Sequence, residues 1–139
     1  MLAGTSPSIS RDVELDETRM TRAASGSDGD DRLKGGARND LILGLEGDDV
    51  IRGRRGNDVM HGGPGDDAYY GGGGIDRIYD EAGDDRVLDH RGATTVSLGD
   101  GTNRVDVRDG RGDDRVLCRP GSTGRIIADP GDRIARDCR

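Results

Sequence analysis

Seven aspartates, Asp31, Asp40, Asp49, Asp58, Asp67, Asp76 and Asp85, follow one another at intervals of nine residues. Each closes a short turn-forming stretch, most of them glycine-rich, so each carboxylate arrives with a set of turn carbonyls. Oxygens without nitrogen or sulfur suit a hard divalent cation. Ca2+ takes about six to eight oxygens at roughly 2.3–2.6 Å and accepts carbonyls as readily as carboxylates, whereas Mg2+ demands near-octahedral geometry and gives up water reluctantly. Zinc would want histidine or cysteine. His61 and His90 stand apart from each other and from Cys118 and Cys138, so both are expected on the surface. Ca2+ is the ion this pattern favours.

The composition narrows the partners in the same direction. The 139 residues carry a net charge of −7, with 24 Asp against 4 Glu. That balance argues against nucleic acid and against an anionic membrane surface. No run approaches the roughly 20 apolar residues of a membrane span, and Met1 to Ser25 lacks the apolar stretch of a secretory signal. There is no H-E-x-x-H, no G-x-S-x-G and no cysteine–histidine constellation, and the repeat accounts for the carboxylates. No enzymatic activity is expected.

Holding such carboxylates in line takes an element that recurs with the same period. Two positions after each Asp stands Leu33, Ile42, Ile51, Met60, Tyr69, Ile78 or Val87. One apolar residue in nine is too sparse for a helix stripe or an alternating strand of ordinary length. It suits a very short strand that points one side chain inward while the rest of the unit turns. Units such as GSDGDDRLK from Gly26, GLEGDDVIR from Gly44 and GGPGDDAYY from Gly62 carry glycine at their first and fourth positions, expected there for positive φ and close backbone approach. With 30% hydrophobic residues, no Trp, no Phe and 3 Tyr, an ordinary globular core is not expected. The inward residues make two narrow rows on strands about 4.8 Å apart, too thin a core to offset the chain entropy of a glycine-rich segment by itself.

These units resemble the repeat-in-toxin nonapeptide, G-G-x-G-x-D-x-U-x with U a large apolar residue, from Gly26 to Leu88. The resemblance implies an all-β fold, a parallel β-roll or β-solenoid with two nonapeptide units per coil. Units two apart then stack, so Asp31, Asp49, Asp67 and Asp85 line one edge and Asp40, Asp58 and Asp76 the other. Neighbours in a column bracket a slot, which makes room for up to about five Ca2+. Asp49, Asp58 and Asp67 stand between slots and are expected to serve two ions each. Carbonyls of Gly44, Glu46, Gly53, Gly56, Gly62, Gly63, Pro64, Gly65, Gly71, Gly72, Gly73 and Gly74 are expected to complete the shells.

Some positions depart from the pattern. Arg38 replaces a fourth-position glycine, and Asp80 and Ala82 make the seventh turn irregular. Tyr69 is expected at the coil edge, or else to disturb the coil. Asp30, Asp48, Asp66 and Asp84 are expected to cap turns rather than hold the ion. Beyond Leu88, Thr94 and Asn103 take the place of Asp while Val96 and Val105 keep the apolar beat, and the later pieces from Asp114, Gly124 and Asp132 fall out of register. Residues 89–139 are therefore expected to form degenerate, metal-poor rungs and a C-terminal cap, with Asp132 silent towards calcium. Arg77, Arg86, Arg104, Arg115, Arg125 and Arg133 should point outward next to carboxylates. A disulfide between Cys118 and Cys138 is expected to staple the cap, with two free thiols as the alternative; a bridge would imply an oxidising compartment. Residues 1–25 read as a polar segment with a short helix near Ser10 to Met20.

The expected function is calcium binding by a secreted, extracellular module whose folding is coupled to the ion. Two other readings stand beside it. One is an accessory C-terminal module of a secreted enzyme or toxin, because the family often carries such repeats behind a protease, lipase, epimerase or pore-forming domain. The other is a passive structural or adhesive solenoid.

Overall fold

A computed structural model describes residues 23–138, together with the backbone of a short strand at Asp12–Glu14. The strands are, in chain order, β1 (Asp12–Glu14), β2 (Ala23–Ser25), β3 (Arg32–Lys34), β4 (Leu41–Leu43), β5 (Val50–Arg55), β6 (Val59–His61), β7 (Ala68–Gly73), β8 (Ile75–Tyr79), β9 (Arg86–Leu88), β10 (Ala93–Leu98), β11 (Gly101–Asp106), β12 (Arg115–Cys118), β13 (Ser122–Ile127) and β14 (Arg133–Ile134). Odd strands form one seven-stranded sheet in sequence order and even strands form the other. All pairings are parallel, for example β5 with β7 and β6 with β8. The chain is thus a β-roll in which consecutive units alternate between sheets. No helix long and apolar enough to cross a membrane occurs among the described residues.

Nine residues make half a coil, so the apolar residue of each unit meets the one two units on. Leu33 pairs with Ile51, Ile51 with Tyr69, Tyr69 with Val87, and Val87 with Val105. In the facing sheet Ala24, Ile42, Met60, Ile78, Val96 and Val116 make the second row. Every member of both rows is buried, and the two rows together form one narrow core.

Tyr69 corrects its expectation: it is fully buried in the row rather than at the coil edge. The roll also begins earlier than Gly26, because β2 pairs with β4 and Ala24 joins the core. Asp12–Glu14, inside the stretch expected as helix, is a strand paired with β3. The rest of that expected helix lies outside the described residues.

In the last coils the irregular spacing is taken up by the turns, and the strands stay in line. Val96 pairs with Val116, Val116 with Ile134, and Val105 with Ile126. Where earlier units open with glycine, these carry Leu98 and Val107, both buried, so hydrocarbon fills the corner. Cys118 and Cys138 are joined, with Cα atoms 5.1 Å apart, tying the end of β12 to the chain beyond β14. The six arginines of the outward beat are exposed, and Arg86, Arg104 and Arg125 stand in register on successive strands of one sheet.

Candidate metal centre

Each of the seven aspartates lies two residues before an inward apolar residue, and side chains two apart on extended backbone share a face. The carboxylates consequently point into the roll, and none of the seven residues is more than 3% exposed. They form the two columns expected. The Asp31 amide donates to Asp49 Oδ1 at 2.9 Å, that of Asp49 to Asp67 Oδ1 at 2.8 Å, and that of Asp67 to Asp85 Oδ1 at 2.8 Å. On the other edge the Asp40 amide donates to Asp58 Oδ1 and the Asp58 amide to Asp76 Oδ1. One oxygen of each acceptor is thereby fixed by the preceding coil. The second oxygen, Oδ2, of Asp49, Asp76 and Asp85 is buried without a hydrogen-bond partner, whereas the Asp67 carboxylate is met by the Tyr69 hydroxyl.

The first-position glycines show where those oxygens face. At Gly53 the point a Cβ would occupy lies 2.5 Å from Asp58 Oδ2 and 2.5 Å from the carbonyl oxygen of Gly71. At Gly35 it lies 2.7 Å from Asp40 Oδ2 and 2.5 Å from the Gly53 carbonyl oxygen. Gly26 and Gly44 repeat the arrangement with Asp31 and Asp49 and with the carbonyls of Gly44 and Gly62. Each corner is a cradle without a side chain, flanked by a carboxylate and by a carbonyl from the next coil. A carboxylate and a backbone carbonyl are the oxygen donors that Ca2+ takes. These residues fit the ion. The glycines are needed for space, whereas positive φ falls at the fourth position, as in Gly65, and at the second, where Leu45, Arg54 and Glu81 also adopt it.

The remaining expected carbonyl donors divide by place. Gly56, Gly65 and Gly74 present theirs to the fourth-position glycine one coil on, and the Gly74 carbonyl already accepts from the Ala93 amide at 3.0 Å. Glu46, Gly63 and Pro64 line a surface groove with His61 and Glu81. Gly72 gives its amide to Asp89 Oδ1, and a Cβ on Gly73 would meet nothing within 4 Å.

Burial raises the carboxyls of Asp49, Asp67, Asp76 and Asp85 to about 7. The amide bond from the preceding coil opposes this shift, and neighbouring carboxylates add to it, Asp67 and Asp31 acting on Asp49. Buried, partly unsatisfied carboxylates stacked along a column are costly without a counter-charge.

Asp30, Asp48, Asp66 and Asp84 form a second ladder on the outside. The Asp48 amide donates to Asp30 Oδ1, that of Asp66 to Asp48 Oδ1, and that of Asp84 to Asp66 Oδ1. This ladder runs opposite to the buried one and caps the turns.

Two further aspartates belong to the corners. Asp80 and Asp89 occupy first positions that hold glycine in earlier units, and both are buried. Asp80 Oδ1 accepts the Gly99 amide at 2.5 Å while its Oδ2 has no hydrogen-bond partner. Asp89 Oδ2 takes the Thr94 hydroxyl and lies against the Gly71 cradle alongside Asp76 Oδ2. The signal was a glycine-to-aspartate exchange at the first position of two consecutive units, those of Asp85 and Thr94; only the irregularity of the Asp80 turn was read from it. The second column then resumes beyond Thr94, whose amide donates to Asp114 Oδ1 at 2.7 Å, and the Asp114 amide donates to Asp132 Oδ1 at 3.1 Å.

A family model described as the RTX calcium-binding nonapeptide repeat (4 copies) matches residues 25–60 and again residues 61–96, together just over half of the chain. No curated protein and no solved structure matches. The matched residues are those that build the paired columns and their glycine corners, and the chain belongs to the RTX calcium-binding nonapeptide repeat family, a β-roll that binds Ca2+.

Proposed function

We propose that this roll is an extracytoplasmic module that folds when it meets Ca2+, holding up to about five ions between successive aspartates of its two columns. The observation that carries the reading is the set of buried Oδ2 atoms without hydrogen-bond partners at Asp49, Asp76 and Asp85. With a core only one residue wide per strand and its carboxylates mutually repelling, the ion-free roll lacks a counter-charge along both edges. Asp31, Asp40, Asp49, Asp58, Asp67, Asp76 and Asp85, with the carbonyls of Gly44, Gly53, Gly62 and Gly71, would hold the ions. Bound Ca2+ supplies positive charge and a bridge between coils. The Cys118–Cys138 bridge supports an oxidising compartment, and extracellular calcium modules commonly bind at about 10⁻⁴ to 10⁻³ M.

Far-ultraviolet circular dichroism in EDTA, in Ca2+ and in Mg2+ tests this. The spectrum should pass from coil-like to β-rich as Ca2+ approaches millimolar, with Mg2+ a poor substitute. A β-rich spectrum that survives exhaustive chelation would make the roll a passive solenoid instead.

A further inference from the structure

Among the glycine corners, the one at Gly62 holds a side-chain oxygen from the core. At Gly26, Gly35, Gly44 and Gly53 the nearest groups are an aspartate Oδ2 and a carbonyl oxygen of the next coil. At Gly62 the nearest atom is the Tyr69 hydroxyl oxygen, followed by Asp67 Oδ2. The hydroxyl donates to the Asp67 carboxylate and stands 3.3 Å from the carbonyl oxygen of Tyr79 and 3.4 Å from that of Asp80. Asp80 opens the unit on the next coil, as Gly71 does for the Gly53 corner. The hydroxyl is thus held between the same two kinds of oxygen, carboxylate and first-position carbonyl, that flank the Gly53 corner.

The oxygen reaches this point because Tyr69 is the one inward residue of the seven units with a polar tip. Leu33, Ile42, Ile51, Met60, Ile78 and Val87 end within the core, whereas the buried tyrosine ring carries its oxygen past the row to the corner. The coils open to admit it. The Gly62 amide meets the Tyr79 carbonyl at 3.3 Å, against 2.7–2.8 Å for the equivalent bonds of Gly26, Gly35 and Gly44. A phenol O–H is a donor, and its proton on Asp67 takes up a lone pair that an ion at roughly 2.3–2.6 Å would need.

Given the calcium reading on which this rests, we propose that the Tyr69 hydroxyl takes the place of Ca2+ in the Gly62 corner. The step between Asp67 and Asp85 is closed by the protein itself, and the roll binds one ion fewer than it has slots. The O–H supplies the positive end that the ion supplies elsewhere, joining two coils by a bond that needs no Ca2+.

Equilibrium dialysis of the full chain against millimolar Ca2+ tests this by comparing the wild type with Tyr69→Ile and Tyr69→Phe. Isoleucine, the inward residue at Ile42, Ile51 and Ile78, clears the corner, and the variant should bind one ion more than the wild type. Phenylalanine keeps the ring in the core and removes only the oxygen, so it keeps the test informative if Tyr69→Ile fails to fold. It should bind no fewer ions than the wild type. An unchanged count in a folded Tyr69→Ile would overturn the proposal, as would the loss of an ion in Tyr69→Phe, which would make the hydroxyl a ligand. The hydroxyl proton is an independent readout by nuclear magnetic resonance. Held on Asp67, it should give a slowly exchanging signal, absent from Tyr69→Phe, that survives saturation with Ca2+. Its disappearance on saturation would show the ion displacing the donor and would also overturn the proposal. A wild type that bound no Ca2+ would sink the calcium reading, and the same signal would still decide whether Tyr69 holds the corner.

Discussion

The hydroxyl of Tyr69 stands where a side chain on Gly62 would have to go. Its oxygen is 3.3 Å from the carbonyl oxygen of Tyr79 and 3.4 Å from that of Asp80. The largest residue of the core is therefore admitted by the absence of a Cβ on the facing turn. Gly62→Ala should destabilise the calcium-loaded roll by about 1–3 kcal/mol through overpacking. Tyr69→Phe alone should cost about 1 kcal/mol or less. Because the two groups share one space, the double variant should be more stable than the sum of the single effects predicts. Strict additivity in denaturant unfolding would show that they do not compete.

Two glycines separate the space argument from a general glycine effect. A Cβ at Gly53 enters a corner between a carboxylate and a carbonyl, whereas one at Gly73 meets nothing within 4 Å. Gly53→Ala is expected to abolish one ion and weaken its column. Gly73→Ala should leave stoichiometry unchanged and stability within about 0.5 kcal/mol. Titration calorimetry of the pair decides it.

Position along a column should set the cost of losing a carboxylate. Asp58 is hydrogen-bonded into its column from both neighbouring coils, through its own amide and through Oδ1. Asp58→Ala is expected to lower the ion count by two, and Asp31→Ala, at the end of its column, by one. Equal losses by calorimetry under one salt condition would mean that slots are not shared.

Proton competition gives the pH dependence its sign. In the ion-free roll Asp49, Asp67, Asp76 and Asp85 titrate at about 7, above the ordinary carboxylate range. The folded ion-free state thus binds protons more tightly than the unfolded chain. Its stability is greatest below about pH 4 and is lost as pH rises through about 7. Where Ca2+ binds a roll already formed it must displace those protons, so at pH 6 the folded ion-free fraction should release them, whereas at pH 8, where the carboxyls are ionised in roll and unfolded chain alike, binding should release almost none. Calorimetry in buffers of different ionisation enthalpy measures the release, and an equal release at both pH values would contradict the assignment.

Reduction of the Cys118–Cys138 bridge, which spans 20 residues, should loosen only the last coils. The lost cross-link is worth about 3 kcal/mol on chain-entropy grounds. Faster hydrogen exchange confined to β12, β13 and β14, with ion binding at the columns retained, is the expected outcome.

The columns and the apolar rows were legible in the sequence because a single period encodes both. Ile51 and Asp49 repeat together, so finding one row finds the other. What escaped depends on the neighbour across the coil. Tyr69 could not be placed without knowing that Gly62 faces it, and of the two reasons expected for the first-position glycines, positive φ and close approach, only close approach applies there. Asp80 read as a fault in a glycine pattern, and Asp89 drew no reading, until the roll put them beside Asp85 and Asp76. The slipped spacing of the cap left its strand alignment open, because linear spacing does not distinguish a shifted strand from a lengthened turn; Val116 stays in line with Val96 and Ile134.

The alternation of successive units between two sheets gives the molecule a parity. A deletion of two units would shorten the roll by one coil and leave every later strand in its own sheet. A deletion of one unit would transfer all later strands to the opposite sheet: without residues 53–61, Asp76 would follow Asp49, and Asp89 would close the column that Asp80 now closes. The first edge passes from Asp85 to Asn103 and the second from Thr94 to Asp114 and Asp132, so they are not interchangeable. Length in this fold can change smoothly only in even steps, and an odd step would have to be compensated in the cap, where the turns are long enough to absorb it.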